Sequence, residues 1–419
     1  MKIVELTSTQ FDDYASKSKL TNYYQTSKYA ILMSNHGYAY DLIGYIDETN
    51  GDKICAASVI LNKKIKGSVR YGYAPKGFLI DYYDRALLES FLRALKDYYK
   101  RKGYTFIKFN PEIMIGKIDQ NNKYSAEYNT NVSIIDTLKS LGLKRRQEQV
   151  EFELMEPKYQ GFVNLKEFNF KKINRNYRKK IRHSISEGMK LVIGDVKQMD
   201  VFYEMIKHKT EHDIIYYRDL YNVYNKDNSI DLLFVKINFQ SYLEYVKKGY
   251  EKEQIENEKW NEIIAQNPKK SNITAKMNSD NKLQGFNSKI IDATNCLKEK
   301  SEAIIAGALV IKHHNIITVI DAGYDLKFKH LNPNHFLYYA IMERYKPYFS
   351  FCNLGGISSF DSNAKYAGLN SFKLKWKPLL FEYIGEFDFA ISEYSFKKFI
   401  QTNFAETEFA HIPYNKIKK

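Results

Sequence analysis

The sequence predicts a mixed α/β protein of two similar halves, with a helical arm inserted into the second half. Two observations carry this prediction: the order strand hairpin, helix, strand occurs twice, and a long polar segment with heptad spacing lies between the repeats. The chain of 419 residues is long enough for two or three domains with sizeable cores. We predict these bounds: 1–155 for the first domain, 156–237 with 301–387 for the second, 238–300 for the arm, and 388–419 packing back on the first.

In the first half, AASVILNKKI and SVRYGYAP are predicted as paired strands. The amphipathic segment RALLESFLRALKDYYKRKG follows as a helix, and FIKFNPE returns as a strand. The Pro-Lys-Gly turn within YAPKGFLID places Tyr73 and Lys76 near a sheet end. An ordinary turn with an exposed lysine is the alternative interpretation.

The second half repeats this order. IIAGALVIKHH and IITVIDAGYD are predicted as a hairpin of buried strands, and Pro333 starts a helix through LYYAIMERYK. YFSFCNLGGI then follows as a strand. The repetition indicates that the two halves are related by duplication.

The most basic element lies at the start of the second half. Seven of the twelve residues from Lys171 to Arg182 are lysine or arginine. On a single helix, one basic face would hold Lys171, Arg175, Arg178 and Arg182. Like charges at this spacing destabilise an isolated helix, and arginine suits phosphate, so a bound anion is expected. A solvated face and a generic nucleic-acid helix are the alternatives.

A pair of helices is predicted next, over VFYEMIKHKTEHDIIYYRDLYNVY. Its residues Tyr217, Tyr221 and Tyr224 could line a sugar or peptide pocket, although aromatic residues at this spacing more often belong to a core. Tyr221 is the pocket candidate.

The arm is predicted as an antiparallel coiled-coil hairpin. Apolar residues from Phe239 to Ile264 recur at steps of four and three, and those from Leu283 to Leu297 do the same beyond the turn NPKKSN. Polar Glu253 and Asn257 are expected to weaken the middle of the first helix. Contact with RNA or with a partner is a hypothesis for the arm.

The C-terminal stretch NLGGISSFDSNAKYAGLNSFKLKWKPLLFEYIGEF combines turn, strand and charge signals. Gly355 and Gly356 permit a close backbone approach that a side chain would block. Phe372, Leu374 and Trp376 alternate with Lys373, Lys375 and Lys377, which predicts a strand with one ammonium-bearing face. An edge strand with its lysines in water is the alternative.

Composition sets the class of partner and the compartment. Lysine and arginine number 64 against 49 acidic residues, so the net charge of +15 favours RNA, acidic lipid or a phosphorylated substrate; a general bias toward lysine is the alternative. Three scattered cysteines predict neither disulfides nor a zinc site. With no leader and no long apolar run, we expect a cytoplasmic monomer or weak homodimer, at most peripheral to the inner membrane face.

The order GGI, YAGL, FK and EYIGEF resembles the C-terminal signature of the FemABX family, and further matches cover nearly the whole chain. The resemblance implies two GCN5-related acyltransferase-like domains. It also implies transfer of an amino acid from aminoacyl-tRNA to the stem-peptide amine of a peptidoglycan precursor, either lipid II or UDP-MurNAc-pentapeptide. The arm favours the arm-bearing branch, for which we expect glycine first, with alanine or serine next.

The resemblance also implies roles for particular residues. Lys373, in its Phe372–Lys373 step, matches the family's catalytic position, either as oxyanion donor or in holding the tRNA 3′ end; Lys375 is a competing tRNA or phosphate contact. Tyr73 and Lys76 match an aromatic-x-Pro-basic-Gly element at the precursor pocket. Arg178 corresponds to a precursor-binding arginine. Further candidate substrate or phosphate contacts are Tyr221, Gly355, Gly356, Tyr366, Lys171, Arg175 and Arg182.

The chemistry itself requires an amine to attack an ester through a tetrahedral oxyanion. No Cys-His or Ser-His-Asp arrangement is recognisable, so direct transfer is expected. Asp81 and Asp361 are candidate proton acceptors, and substrate-assisted transfer is an equal alternative. No coenzyme A loop is recognisable and no other cofactor or metal is expected. A non-catalytic RNA-binding scaffold and an N-acyltransferase with another acceptor remain the competing functions.

Overall fold

The computed structural model describes residues 1–65, 69–119, 125, 131–145, 159–357 and 366–401. Within these residues the strands are β1 (Lys2–Glu5), β2 (Ala39–Asp47), β3 (Lys53–Ile65), β4 (Val69–Ala74), β5 (Phe106–Phe109), β6 (Met114–Ile118), β7 (Lys144–Arg145), β8 (Tyr159–Asn164), β9 (Met189–Gly194), β10 (Ile230–Asn238), β11 (Glu302–His313), β12 (Ile316–Tyr324), β13 (Phe351–Ile357), β14 (Leu379–Tyr383) and β15 (Phe387–Ala390). The helices are α1 (Ser8–Lys17), α2 (Ser27–Asn35), α3 (Arg85–Arg101), α4 (Val132–Ser140), α5 (Arg175–Ser186), α6 (Met199–Ile206), α7 (Ile214–Asn225), α8 (Phe239–Gln266), α9 (Lys270–Glu299), α10 (Pro333–Tyr345), α11 (Ala367–Leu374) and α12 (Glu393–Gln401).

The described residues form two mixed sheets, which confirms the α/β class. The first sheet has the order β1-β2-β3-β4-β5-β15-β7, and the second has the order β6-β14-β8-β13-β12-β11-β10-β9. In the first, β3 and β4 form an antiparallel hairpin, and α3 leads to β5, which pairs parallel to β4. In the second, β11 and β12 form the hairpin, and α10 leads to β13, parallel to β12. Both halves therefore share the predicted order and the same pairing.

Among the described strands the chain passes between the two sheets four times, from β5 to β6, from β6 to β7, from β7 to β8 and from β14 to β15. Strand β6 lies within residues 1–155, yet it pairs with β14 in the second sheet. Strand β15 follows β14 and returns to the first sheet between β5 and β7. Lys108 on β5 and Asp388 on β15 form a fully buried ion pair at 2.9 Å. The exact domain bounds stay a prediction.

A divergence of strands opens the second sheet at its centre. The parallel pairing of β12 with β13 ends at Thr318 and Asn353, although both strands continue beyond that point. Register shifts interrupt β13 between Asn353 and Gly356 and the β11–β12 ladder between Leu309 and Val310. Irregular pairing of this kind bends a strand and redirects its side chains. The cavities described below lie at this divergence.

The arm consists of α8 and α9, which are 28 and 30 residues long and joined by a three-residue connection. Their antiparallel register is fixed by contacts of Asn257 with Ser279 and of Glu253 with Lys282. Asn257 is buried, and its Nδ2 donates to Ser279 Oγ at 3.1 Å and to Asp280 Oδ1 at 2.8 Å. Glu253 and Asn257, which were predicted to weaken the middle of the first helix, therefore connect the two helices of the arm. The coiled-coil form of the arm stays a prediction.

The strand predicted for residues 372–377 is wrong, because this segment ends a helix. Helix α11 runs to Leu374 and buries Lys373, while Lys377 follows in the left-handed region at φ 56°. The apolar residues Phe372 and Trp376 are four apart, which suits one face of a helical turn as well as one face of a strand. Their rings pack 6.1 Å apart. No row of lysines on one strand face exists.

The basic helix is shorter than predicted. Asn174 caps α5, its Oδ1 accepting from the Asn176 amide at 2.9 Å, so the helix begins at Arg175. Lys171 lies in a preceding 3-10 turn and is not part of the helical face. The buried residues of α5 are Tyr177, Ile181 and Ser184.

Candidate active site

Two cavities lie on either side of the diverging strands β12 and β13. The larger, of about 610 Å³, is bounded by β12, β13, α10 and α11. The smaller, of about 210 Å³, is bounded by the second sheet and by the 21–24 and Lys76 loops of the first half. Val319, Ile320, Gly355 and Gly356 line both cavities. The Gly355–Gly356 backbone is thus part of a shared wall.

Lys373 lies at this shared wall. Its Nζ donates to the Gly356 carbonyl at 2.7 Å, and the side chain lines the larger cavity. A Cβ on Gly355, whose φ is +77°, would come within 3.5 Å of the same Nζ. Burial, helped by the nearby Lys209 ammonium, lowers the pKa of Lys373 to about 8. This lysine is therefore a buried cation that titrates close to neutral pH.

The neighbouring aromatic residues hold Lys373 in place. Phe372 packs edge-on against Tyr338 at 5.1 Å and His335 at 5.4 Å, and its carbonyl accepts from Tyr177 Oη at 3.3 Å. The contact with Tyr177 joins α11 to the basic helix α5. The Phe-Lys step thus combines one packing residue with one charged residue.

The larger cavity is strongly basic. Lys180, Lys209, Lys329 and Lys373 line it together with a single carboxylate, that of Asp321, among the described residues. Lys180 Nζ lies 3.4 Å from His335 Nε2. Burial lowers the pKa of His335 to about 4, so the ring is neutral at pH 7 and its Nε2 can accept from the lysine. An anionic ligand fits this lining.

The smaller cavity has a different character. Lys76 lines it with Glu112, Gln160, Tyr23 and Tyr24. The Lys76 ammonium lies 5.4 Å from the centre of the Tyr383 ring, in cation–π range. Mixed charge and aromatic surface suit a ligand with peptide and sugar parts better than a bare polyanion.

The turn that carries Lys76 is held from two sides. Gln25 is fully buried; its Nε2 donates to the Pro75 carbonyl at 2.7 Å and its Oε1 accepts from the Val59 amide at 2.8 Å. Asn110 Oδ1 accepts from the Lys76 amide at 2.9 Å and from Tyr73 Oη at 3.3 Å. Tyr73 supports the turn and does not line the cavity. The predicted pair is therefore close together, and Lys76, although buried, is the member of the pair that lines the cavity.

The structure brings some predicted residues to the cavities and not others. Lys373, Phe372, Lys76, Gly355 and Gly356 line one cavity or both. Outside the lining of both cavities lie Tyr73, Arg178, Tyr221, Tyr366, Asp81, Lys171, Arg175, Arg182 and Lys375. Asp361 lies outside the described residues.

The contacts of these outlying residues explain their positions. Arg178 turns back to donate to the Lys171 carbonyl, and Arg182 stacks over Phe170 at 5.5 Å. Tyr221 is buried in the core between the halves, and the exposed Asp81 accepts from the Tyr83 amide at 2.9 Å. Lys375 lies just beyond α11, over the Tyr177 ring at 5.9 Å. Tyr366 precedes the first turn of α11.

Sequence reasoning missed Lys180, Lys209, Asp321 and His335. Lys180 is on the predicted basic helix, and its angular position on that helix could have identified it. Viewed down the helix axis, Lys180 lies roughly 60° from the buried Tyr177, on the same side as Ser184, whereas Arg178 lies roughly 100° from Tyr177. A basic residue that flanks the apolar stripe is the one that a packed neighbour surrounds. The other three depend on tertiary contacts that no local spacing reveals.

The sequence matches a known protein family over almost its whole length. The FemAB family model matches residues 6–402, so the chain belongs to the FemAB family. A "Lipid II:glycine glycyltransferase" of Staphylococcus epidermidis is 23% identical over 408 residues, covering 94% of each chain. The protein of the same name from Staphylococcus aureus is 22% identical over 411 residues, again with 94% coverage of both.

The fold has a solved counterpart. The crystal structure of FemX superposes with a TM-score of 0.72 at 20% identity, covering 95% of this chain and 99% of that chain. The family resemblance seen in the C-terminal motifs is therefore confirmed, and the fold is shared along nearly the whole length. Within the described residues no helix is both long and apolar enough to cross a membrane.

Proposed function

We propose that this protein is an aminoacyltransferase that moves an amino acid from aminoacyl-tRNA to the stem-peptide amine of a peptidoglycan precursor, building the interpeptide bridge. Family membership and the names of the staphylococcal relatives support the reaction class. The observation that carries the proposal is the buried Lys373 ammonium, which lies at the wall shared by two separate cavities. A transfer between two substrates requires such a meeting point.

The charges of the cavities support an assignment of the substrates. The larger cavity, with its four lysines, takes the 3′ end of the tRNA and the amino acid esterified to it. The smaller cavity, with Lys76, Tyr23 and Tyr24, takes the stem peptide of the precursor. The donor carbonyl and the acceptor amine then approach from opposite sides of Gly355 and Gly356.

The chemistry follows from this arrangement. The acceptor nitrogen forms a bond to the ester carbonyl carbon, and the bond from that carbon to the ribose oxygen breaks. One amine proton stays on the new amide, and the other ends on the released ribose hydroxyl. Lys373 in its charged form stabilises the oxyanion that develops between these events, a role for which one donor contributes about 3 kcal/mol.

The acceptor amine must be neutral before it attacks. A lysine ε-amine has an ordinary pKa of about 10.4, so only a small fraction is neutral at pH 7. Because Asp81 lines neither cavity, the donor's own ribose hydroxyl is the simplest carrier of that proton. Substrate-assisted proton transfer is therefore the version of the mechanism that we adopt.

Glycine is the amino acid that we expect to be transferred, since both staphylococcal relatives carry glycine in their names. We expect the precursor to be lipid II, with the protein peripheral to the inner membrane face during the reaction. The basic surface of α5 suits such an approach, because Arg175 and Arg182 are exposed there.

The test is a transfer assay with radiolabelled glycyl-tRNA, alanyl-tRNA and seryl-tRNA, each combined with lipid II and with soluble UDP-MurNAc-pentapeptide. We expect label to pass from glycyl-tRNA to lipid II. Binding of tRNA without transfer to either precursor would instead identify an RNA-binding scaffold. Transfer to an unrelated amine alone would identify an N-acyltransferase with another acceptor.

A further inference from the structure

The larger cavity contains one carboxylate that the proposed chemistry does not use. Asp321 is the acidic residue among the described lining residues, in a cavity otherwise lined by four lysines. Its side chain is 24% exposed, so it faces both protein and cavity. The lysines favour an anionic ligand, but a phosphate placed beside Asp321 would be repelled by its carboxylate, so this position favours a cationic part of the ligand.

Asp321 is held by two protein donors. Lys209 Nζ donates to Oδ1 at 3.2 Å, and Tyr217 Oη donates to Oδ2 at 2.5 Å. Tyr217 is itself fixed by Thr210, with 2.8 Å between the hydroxyl oxygens. A carboxylate oxygen can accept two hydrogen bonds, so two donors leave capacity for a third. The carboxylate is oriented and still able to bind a cation.

The strand geometry aims this residue at the cavity. Leu309 pairs with Asp321 and Val310 pairs with Val319, so Ile320 is an extra residue in β12. The residues from Val319 through Ala322 all line the larger cavity, which a regular strand with alternating faces does not do. Lys373 lines the same cavity, and the Asp321 charge opposes the lowering of its pKa by burial. Asp321 and Lys373 can therefore contact the same ligand in the larger cavity.

We propose that Asp321 binds the α-ammonium group of the amino acid on the donor. This inference rests on the function proposed above. A terminal α-amino group has a pKa of about 7.7–8.0, so it is largely cationic at pH 7. It is attached to the carbon next to the reacting carbonyl, so a carboxylate near Lys373 receives the ammonium while the lysine receives the carbonyl oxygen.

This subsite would let the protein distinguish donors that have a free α-ammonium group from donors that do not. Donors with a free α-ammonium are accepted, whereas N-acylated donors such as peptidyl-tRNA lose the charge and leave the carboxylate without its third partner. Charge-assisted hydrogen bonds are stronger than neutral ones, so we expect discrimination of about 10-fold to 100-fold.

The chain contains a matched control for Asp321. Asp231 on β10 also accepts from one lysine, Lys312 at 2.9 Å, and from one tyrosine hydroxyl, that of Tyr345. It lines neither cavity. Replacement of either aspartate by asparagine therefore removes the same kind of lysine and tyrosine contact, but only D321N changes the cavity.

The experiment compares glycyl-tRNA with glycolyl-tRNA, which has a hydroxyl in place of the amine, and with N-acetylglycyl-tRNA. The ratio of kcat/KM for glycyl-tRNA to that for each analogue is measured at pH 7 in wild type, D321N and D231N. Intrinsic ester reactivity and any change at Lys373 cancel when these ratios are compared between proteins. We expect D321N to reduce the ratio at least tenfold and D231N to leave it within about twofold of wild type.

The outcomes separate the two proposals. Wild-type transfer from glycyl-tRNA with an unchanged ratio in D321N would overturn the ammonium subsite and leave the transferase intact. Absence of transfer by wild type from any charged tRNA would instead overturn the transferase. If D321N folds poorly by circular dichroism, K209M gives an independent result: loss of the competing lysine should raise the ratio, and an unchanged or lower ratio would overturn the subsite.

Discussion

At the scale of single residues, Lys373 combines a sequence motif with an environment that the motif does not reveal. The Phe-Lys step identified the position, but alternation with Lys375 and Lys377 suggested three equivalent lysines. The structure separates them, because only Lys373 is buried at the cavity wall while Lys375 and Lys377 are exposed. Local spacing cannot distinguish a helix end from a short strand when apolar residues are both two and four apart.

Replacement of Lys373 by methionine tests its role directly. Since K373M keeps the volume but removes the charge, we expect kcat to fall by about 10²-fold to 10³-fold, with little change in either KM. K375M is the matched control on the neighbouring exposed lysine and should remain within about twofold of wild type. Steady-state kinetics with both substrates varied would measure this, and wild-type turnover in K373M would refute the assignment.

The pH profile provides a second test of the same residue. Burial lowers the pKa of Lys373 to about 8, so its cation is present below that pH and is lost as the pH rises through it. The neutral acceptor amine becomes tenfold more abundant per pH unit up to its own pKa, about 10.4 for a lysine. The logarithm of kcat/KM for the acceptor should therefore rise with unit slope to about pH 8 and then level off.

K373M has no group to titrate at that position, so its profile should keep rising with unit slope above pH 8, from a lower level; both profiles are measured with glycolyl-tRNA, whose hydroxyl does not titrate near pH 8 as an α-amine does. Initial rates corrected for spontaneous hydrolysis of the aminoacyl ester give both profiles. Parallel profiles in the two proteins would show that the plateau comes from another group.

At the scale of elements, the repeated hairpin, helix and strand were predictable because hydrophobic periodicity alone defines them. The direction in which the basic face of α5 points was not predictable, because it depends on which side of α5 packs against α10 and α11. Likewise, the polar residues of the arm were predicted to be destabilising because their hydrogen-bond partners on the other helix of the hairpin could not be identified from the sequence. Local pattern predicts an element, whereas tertiary contact decides what each of its faces does.

Removal of the buried amide in the arm should loosen its outer part. N257A eliminates the hydrogen bond to Ser279 and leaves that buried hydroxyl with one partner fewer, at a cost of about 1–2 kcal/mol. We expect amide hydrogen exchange in the distal turns of α8 and α9 to accelerate about 5-fold to 30-fold. I255A, at a 58% exposed position of the same helix, is the control and should change exchange little.

The ion pair between β5 and β15 should matter more. D388N removes the Asp388 carboxylate from the fully buried Lys108 ammonium, so we expect a loss of about 3–5 kcal/mol in the free energy of unfolding. The double variant K108M/D388L replaces both charges by apolar groups and should recover most of that loss. Urea unfolding measures both proteins; a loss below about 1 kcal/mol in D388N would show that the pair does not anchor the C-terminal strand.

At the scale of the whole molecule, the sequence predicted two related halves, an inserted hairpin and a C-terminal segment that packs back on the first half, but not which strands pair across the halves. Strand β6 leaves the first half to join the second sheet, and β15 makes the reverse crossing. The turn that carries Lys76 lies close to the glycines of β13, and both line the smaller cavity. Neither strand pairing could be predicted locally, because the sequence of a strand does not determine which other strand it pairs with.

We propose that two substrates reach Lys373 from opposite sides of the Gly355–Gly356 wall. Two-substrate steady-state kinetics of K76M, K180M and K373M tests it most directly. We predict that K76M raises the KM of the precursor alone, that K180M raises the KM of the aminoacyl-tRNA alone, and that K373M lowers kcat. If K76M and K180M both raise the KM of the same substrate, the two cavities do not hold two different substrates and the proposed arrangement is wrong.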